Sequence, residues 1–245
     1  MRALPLLAGL AGLGACWSSP PPSAPAAPPS TSTAAPSIAW DERHIVDRFL
    51  PAIASDGSVV VLGIADPDGA RGNPNFRIEL RGRDDRRRST HEVLSVNEVE
   101  TGAFFDETGP LPPLRDRITR GNEHLATLHA THRLVPLKKM SLENEDDAPL
   151  ANQTAHGGNL VVAWKSDHVI VRDERGNGTA VLLDLPAPDS WLAARRPSST
   201  HACTNPAFLD ETWASPEHRL AVITVNYEGS DLCWEPNAQQ HVITW

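Results

Sequence analysis

The segment Phe76-Arg77-Ile78-Glu79-Leu80-Arg81 alternates apolar and charged residues with a period of two. That is the pattern of a strand with one face on a core and the other in water. Ahead of it, the turn Asp56-Gly57 leads into the β-branched run Val59 to Ile64, and after Gly82-Arg83-Asp84-Asp85 a third strand is expected in His91 to Val99. Three strands joined this briefly predict an antiparallel meander. A second meander is expected from Leu160–Trp164, His168–Arg172 and Thr179–Asp184, separated by turns at Lys165-Ser166-Asp167 and Arg175-Gly176-Asn177-Gly178. The β-branched segment Leu220 to Tyr227 and an edge strand His241 to Trp245 close the chain.

Helical periodicity is clearest after Pro110 to Pro113. Leu114, Ile118, Leu125 and Leu128 share one stripe, which predicts a helix from Leu114 to about Ala130, with a short strand in Arg133 to Lys138. Gly121 inside that helix costs about 1 kcal/mol relative to alanine. Ile38 to Phe49 fits either helix or strand. Ser141 to Gly158 reads as a solvated loop, and Leu185 to His218, with five prolines around Trp191 and Trp213, as a long connection. The expected class is α+β, mainly antiparallel β, with about eight strands in meanders and hairpins and one or two helices. Leu50 to Gly57 and the valines after it resemble the start of a TolB-type propeller repeat, but the pattern does not recur, so no propeller is expected.

The N-terminus follows a different logic. Arg2, the apolar run Ala3 to Leu13 and the small residues Gly14 and Ala15 have the order of a secretory signal, too short for a helix of roughly 20 residues that spans a bilayer. Ending in Leu13-Gly14-Ala15-Cys16, it resembles the bacterial lipoprotein signal. The resemblance covers residues 1–16 only, and it implies cleavage before Cys16 and acylation of that cysteine. Several acyl chains would anchor the protein stably, at about 0.8 kcal/mol per buried methylene. Trp17 stands where that family's inner-membrane proteins carry aspartate, so the resemblance implies an outer-membrane lipoprotein facing the periplasm or the cell surface. Residues 16–38 form the lipidated cysteine and a Pro/Ala/Ser-rich tether without charged residues. At about 3.1 Å per residue, the tether could hold a domain up to roughly 65 Å from the lipid. Residues 39–245 are expected to form a single globular domain.

Composition narrows the partners. The formal charge is −9, and removing Arg2 with the signal makes it more negative by one. So acidic a chain argues against nucleic acid or an anionic membrane surface as partner. The membrane is expected as a partner only through the lipid, alongside an unknown protein or glycan. Besides Cys16 the chain has Cys203 and Cys233, an even pair in an oxidising compartment, read as a disulfide worth roughly 3–4 kcal/mol.

Motifs for chemistry are sparse. The sequence has no G-x-S-x-G elbow, no H-E-x-x-H, no Walker A and no G-x-G-x-x-G. His156-Gly157-Gly158 is read as loop. Among His124, His129 and His132, only the last two approach one helix face, so no metal site is expected there. Asp66-Pro67-Asp68-Gly69 with Asn73 and Asn75 offers oxygen ligands of the kind calcium takes, and equally the residues of a turn. Arg81, Arg83, Arg86, Arg87 and Arg88, interrupted by Asp84 and Asp85, read as a solvated hairpin tip. No catalytic residue, metal or cofactor is assigned. The expected role is binding or structural rather than enzymatic. The alternative is a hydrolase of extracellular polymers with a carboxylate pair drawn from Glu228, Asp231 and Glu235 beside Trp234. A cleft lined by two acids would favour the hydrolase, and packed tryptophans would favour binding.

Overall fold

The computed structural model describes residues 35–66, 74–143, 152–165, 167–176, 178–192, 207–227 and 238–245. The segment 38–49, ambiguous by pattern, is a hairpin of β1 (Ile38–Asp41) and β2 (His44–Asp47). There follow β3 (Ala52–Ile53), β4 (Val59–Ile64), β5 (Phe76–Gly82), β6 (Arg87–Leu94), α1 (Val96–Thr101), β7 (Phe105–Asp106), β8 (Gly109–Pro110) and α2 (Pro112–His132). Next come β9 (Val135–Pro136), β10 (Lys138–Lys139), β11 (Ser141–Glu143), β12 (Asn152–Gly157), β13 (Leu160–Lys165), β14 (His168–Asp173), β15 (Ala180–Pro186) and α3 (Asp189–Leu192). The last strands are β16 (Ala207–Ser215), β17 (Leu220–Tyr227) and β18 (Gln239–Thr244).

Three antiparallel sheets carry the architecture: β6-β5-β4-β3-β9, β10-β16-β17-β18 and β11-β12-β13-β14-β15. They stack in order. On one face of the first sheet, Val61 and Ile78 pack with Leu114, Leu125 and Leu128 of α2 and with Ile38 and Ile45 of the hairpin. From its opposite face Val60, Leu62 and Ile64 meet Leu220, Val222 and Val242 of the second sheet. The second sheet's far face, with Ile223, Val225 and Ile243, packs on Val162, Trp164 and Val171 of the third. The central strand β17 is therefore covered on both sides, which is why its sequence is a nearly continuous apolar run rather than an alternation.

The class is α+β, mainly antiparallel β, as the pattern predicts. The count differs: among the described residues there are eighteen strands rather than about eight, and three α-helices rather than one or two. Residues 133–138 split between β9 and β10, which join different sheets. The expected loop after Ser141 contains β11 and β12, and β16 lies within the proline-rich connection. Propensity failed here because the core-facing positions of these strands are few and mostly small, Ala155, Ala207, Leu209 and Ala214, set among polar residues. Ile38 is buried, and its backbone N–H and carbonyl bond the Asn122 side chain at 2.7 and 3.0 Å, so the compact unit begins at Ala35. Gly121 answers the same contact: a Cβ there would lie 2.7 Å from Ile38 Cδ1. Among the described residues no helix is long and apolar enough to cross a membrane.

Candidate binding groove between two sheets

The second sheet changes character along its strands. On the face turned to the first sheet, one cross-strand row is Trp213, Val222 and Val242, and the next is Glu211, Thr224 and Gln240. Beside the apolar row the two sheets close on each other. Beside the polar row lies a groove of about 470 Å³. One wall is Asp210, Glu211, Thr224, Asn226 and Gln240; the other is formed by His44, Ile64, Ala65, Asp66 and Asn75.

A β-bulge assembles the first wall. The register of β16 against β17 shifts between Leu209 and Glu211, leaving Asp210 as the extra residue. Leu209 and Ala214 both belong to the core on the far face although their separation is odd, which only a bulge permits. The shift turns Glu211 and Trp213 toward the first sheet and puts Asp210 beside them in the groove wall. Bulges re-aim side chains in this way.

Three carboxylates line the groove, and among the described lining residues there is no lysine or arginine. Two of them have partners outside it: Asp66 is ion-paired to Arg77, and Glu211 to Lys139. Among the described residues Asp210 receives only the Asn226 amide, at 3.4 Å. Burial, and then the neighbouring Glu211, raise its pKa above the ordinary value of 3.8. Two further oxygens of this wall, Thr224 Oγ1 and Gln240 Oε1, are buried without a hydrogen-bond partner among the described residues. Thr224 is 6% exposed, and strand alternation directs its side chain into the groove.

A second hollow of about 330 Å³ adjoins it, sharing Gly63, Glu211 and Gln240 and adding Asp47, Lys139 and Trp213. Lys139 Nζ sits 5.6 Å from the Trp213 ring centre. Burial raises the Asp47 pKa, against the pull of the Leu50 and Phe49 amides at 2.6 and 3.2 Å. Gly63 admits this carboxylate, since a Cβ there would fall 2.6 Å from Asp47 Oδ2.

From the groove an ion ladder runs along β5. Arg77 joins Asp66 to Glu79, bonding the latter at 2.9 Å, and Arg81 binds Glu79 at 2.7 and 2.9 Å and Asp85 at 3.0 Å. Asp85, held at a φ of 59°, accepts from the Val242 amide and pairs with His241 Nδ1, both at 2.8 Å. His241 stacks on Trp191 with ring centres 3.9 Å apart. The face of β5 read as wet is thus buried, with Glu79 1% exposed and compensated by two guanidinium groups.

The arginine run divides accordingly. Arg81 belongs to the ladder, Arg83 donates to the Gly57 and His218 carbonyls, and Arg88 pairs with Asp84. The histidines do not converge. His124 stacks on His91 and His129 meets the Phe49 ring edge-on, and no group of three or more His, Cys, Asp or Glu placed to hold a metal occurs among the described residues. His156 lies in β12 rather than in a loop, 3.3 Å from Glu143. Asp66 and Asn75 bond each other through backbone and side chain at 2.6 and 2.7 Å. The Ser215 hydroxyl meets His218 Nδ1 at 2.7 Å, but Ser215 is buried, closing the β16–β17 turn rather than facing a pocket. Trp191 is packed and Trp213 borders the smaller hollow. Cys16, Cys203, Cys233, Glu228, Asp231, Trp234 and Glu235 lie outside the described residues.

Sequence reasoning missed Asp210, Glu211, Thr224 and Gln240. The available signal was the interruption of an apolar strand by Thr224 and Asn226, together with an acidic pair ahead of Trp213. Comparison with protein-family models, curated proteins and solved structures finds no match, so the functional reading rests on the groove itself.

Proposed function

We propose that this is a lipid-anchored envelope protein, tethered through Cys16, whose domain binds a small ligand in the groove between its first two sheets. The lipobox-like segment Leu13-Gly14-Ala15-Cys16 supports the anchor and an outer-membrane location. The observation that carries binding is the groove wall, where the buried Thr224 Oγ1 and Gln240 Oε1 have no partner among the described residues and the half-buried Asp210 has only the Asn226 amide. Buried polar groups normally find partners, and those that do not mark places where something else supplies them. The alternative, hydrolysis by a carboxylate pair, draws on the same groove, where Asp210 with its raised pKa stands beside Glu211; its first candidates Glu228, Asp231 and Glu235 lie outside the described residues.

Two measurements test this. Intact mass and membrane flotation of wild type and Cys16→Ser in a Gram-negative host test the anchor: an acyl mass and flotation are expected only for wild type. For binding, the side-chain amide resonances of Asn226 and Gln240 are followed during titration with a small-molecule extract of the envelope. Movement of both is expected; a folded domain whose groove amides ignore every fraction contradicts the binding role.

A further inference from the structure

The chemistry of the groove wall defines the ligand it fits. We propose that the groove takes an organic cation, a primary amine or guanidine, with its charged end against Asp210 and its N–H donors shared with Thr224 and Gln240. This deepens the binding reading above and depends on it.

Charge is the first argument. The lining carries three carboxylates and no lysine or arginine among the described residues, and of the three Asp210 alone has no ion pair there, Lys139 acting on it only from its pair with Glu211. A half-buried carboxyl of this kind is completed by a cation with N–H donors. The second argument is independent of charge. Thr224, 6% exposed, and Gln240 present oxygens without partners. The Gln240 carbonyl oxygen can only accept, so it requires a donor from the ligand. A saccharide could donate to these oxygens but would leave Asp210 uncompensated. An anion would face Asp210 and Glu211 directly.

A metal ion would also answer the charge, but it needs several ligands at coordination distance. No such group of His, Cys, Asp or Glu stands among the described residues. Carboxylate and neutral acceptors spread over β16, β17 and β18 suit an extended organic donor better than a point charge. The volume of about 470 Å³ lies in the range of small-molecule sites, roughly 300–1,000 Å³.

The test uses the whole mature domain with four probes: agmatine and spermidine as cations, maltotriose as a neutral polyol and glutarate as an anion. Binding is read by calorimetry and by the Asn226 and Gln240 side-chain amide resonances. The expected result is that at least one amine moves both resonances, that Asp210→Asn weakens it at least tenfold, and that Asp210→Glu retains it. Raising the salt should weaken it as well. If maltotriose or glutarate moves the resonances and the amines do not, the groove is a binding site and the cation assignment is overturned. If the amines bind without moving them, or bind Asp210→Asn as tightly, the contact is non-specific surface attraction and the assignment falls. Amines that do not bind at all overturn it too. The extract titration above separates that outcome from failure of the binding role itself.

Discussion

Two groups of partly or fully buried carboxylates lie between the first and second sheets and are treated in opposite ways. Along β5, Glu79 is bonded by Arg77 and Arg81, and Asp85 by Arg81, His241 and a backbone amide. Every acid there has its base, and burial is offset by the partners, which hold both carboxyls below their ordinary pKa. At the groove, Asp210 has a single long amide contact, and burial with Glu211 moves its pKa the other way. Burial alone therefore does not separate structural from functional carboxylates. Compensation does, because a fold left to optimise stability pairs what it buries.

The largest effect should come from breaking the compensated side. Glu79→Gln leaves Arg77 and Arg81 facing each other across a neutral amide, and a loss of about 3–5 kcal/mol is expected in urea denaturation. A loss below about 1 kcal/mol would place the ladder among ordinary surface pairs. On the groove side the sign should reverse. Thr224→Val removes a buried hydroxyl without a partner at nearly constant shape, and a gain of about 1 kcal/mol is expected by the same method. A clear loss would mean that the hydroxyl is satisfied within the fold.

An exposed, well-bonded carboxylate calibrates the smallest end. Glu98 accepts from Arg117 at 2.7 and 3.0 Å and from Ser95 in the capping box of α1, which together hold its pKa down to about 2 from 4.5. A depressed carboxyl contributes stability that is fully present above about pH 4.5 and lost as pH falls toward 2. Because the side chain is 39% exposed, solvent screening limits the contribution. Glu98→Gln should cost less than about 1 kcal/mol at pH 7 and nothing near pH 2, measured as a stability difference across that range.

How much of this is legible in the chain depends on how local the signal is. The stripe Leu114, Ile118, Leu125 and Leu128 marks α2, and the β-branched run Leu220 to Tyr227 marks β17 residue for residue. The second meander appears as β13, β14 and β15, where short turns fix the pairing. Arg77, Glu79 and Arg81 misled, because alternation of charged and apolar residues is the same whether the charged face meets water or is covered by a second sheet, with Asp85 of the β5–β6 turn and the backbone of β18 as partners. The strand β16 was hidden for a related reason. Its sequence, Ala207 to Ser215, mixes acids and small residues, and a bulge at Asp210 destroys the period of two that would have revealed it. The groove inherits that obscurity, since Asp210, Thr224 and Gln240 come from three strands and meet only when the second sheet forms.

Burial and Glu211 raise the Asp210 pKa, so ionising this carboxyl costs the fold stability. A carboxyl whose folded pKa is raised binds its proton more tightly in the folded chain, so the Asp210 contribution to stability should fall as pH rises from 3.8 through the raised value, the cost being complete above it. The direct measurement is the stability of wild type and Asp210→Asn from pH 3 to 8 at fixed salt, with the neighbouring Glu211 and Lys139 unchanged in both. The account predicts equal stability at the acid end and a growing advantage for the asparagine variant toward neutral pH. An asparagine variant that is less stable at neutral pH, or a difference that ignores pH, would show that Asp210 is compensated within the fold, and the groove would lose its claim to a cationic ligand.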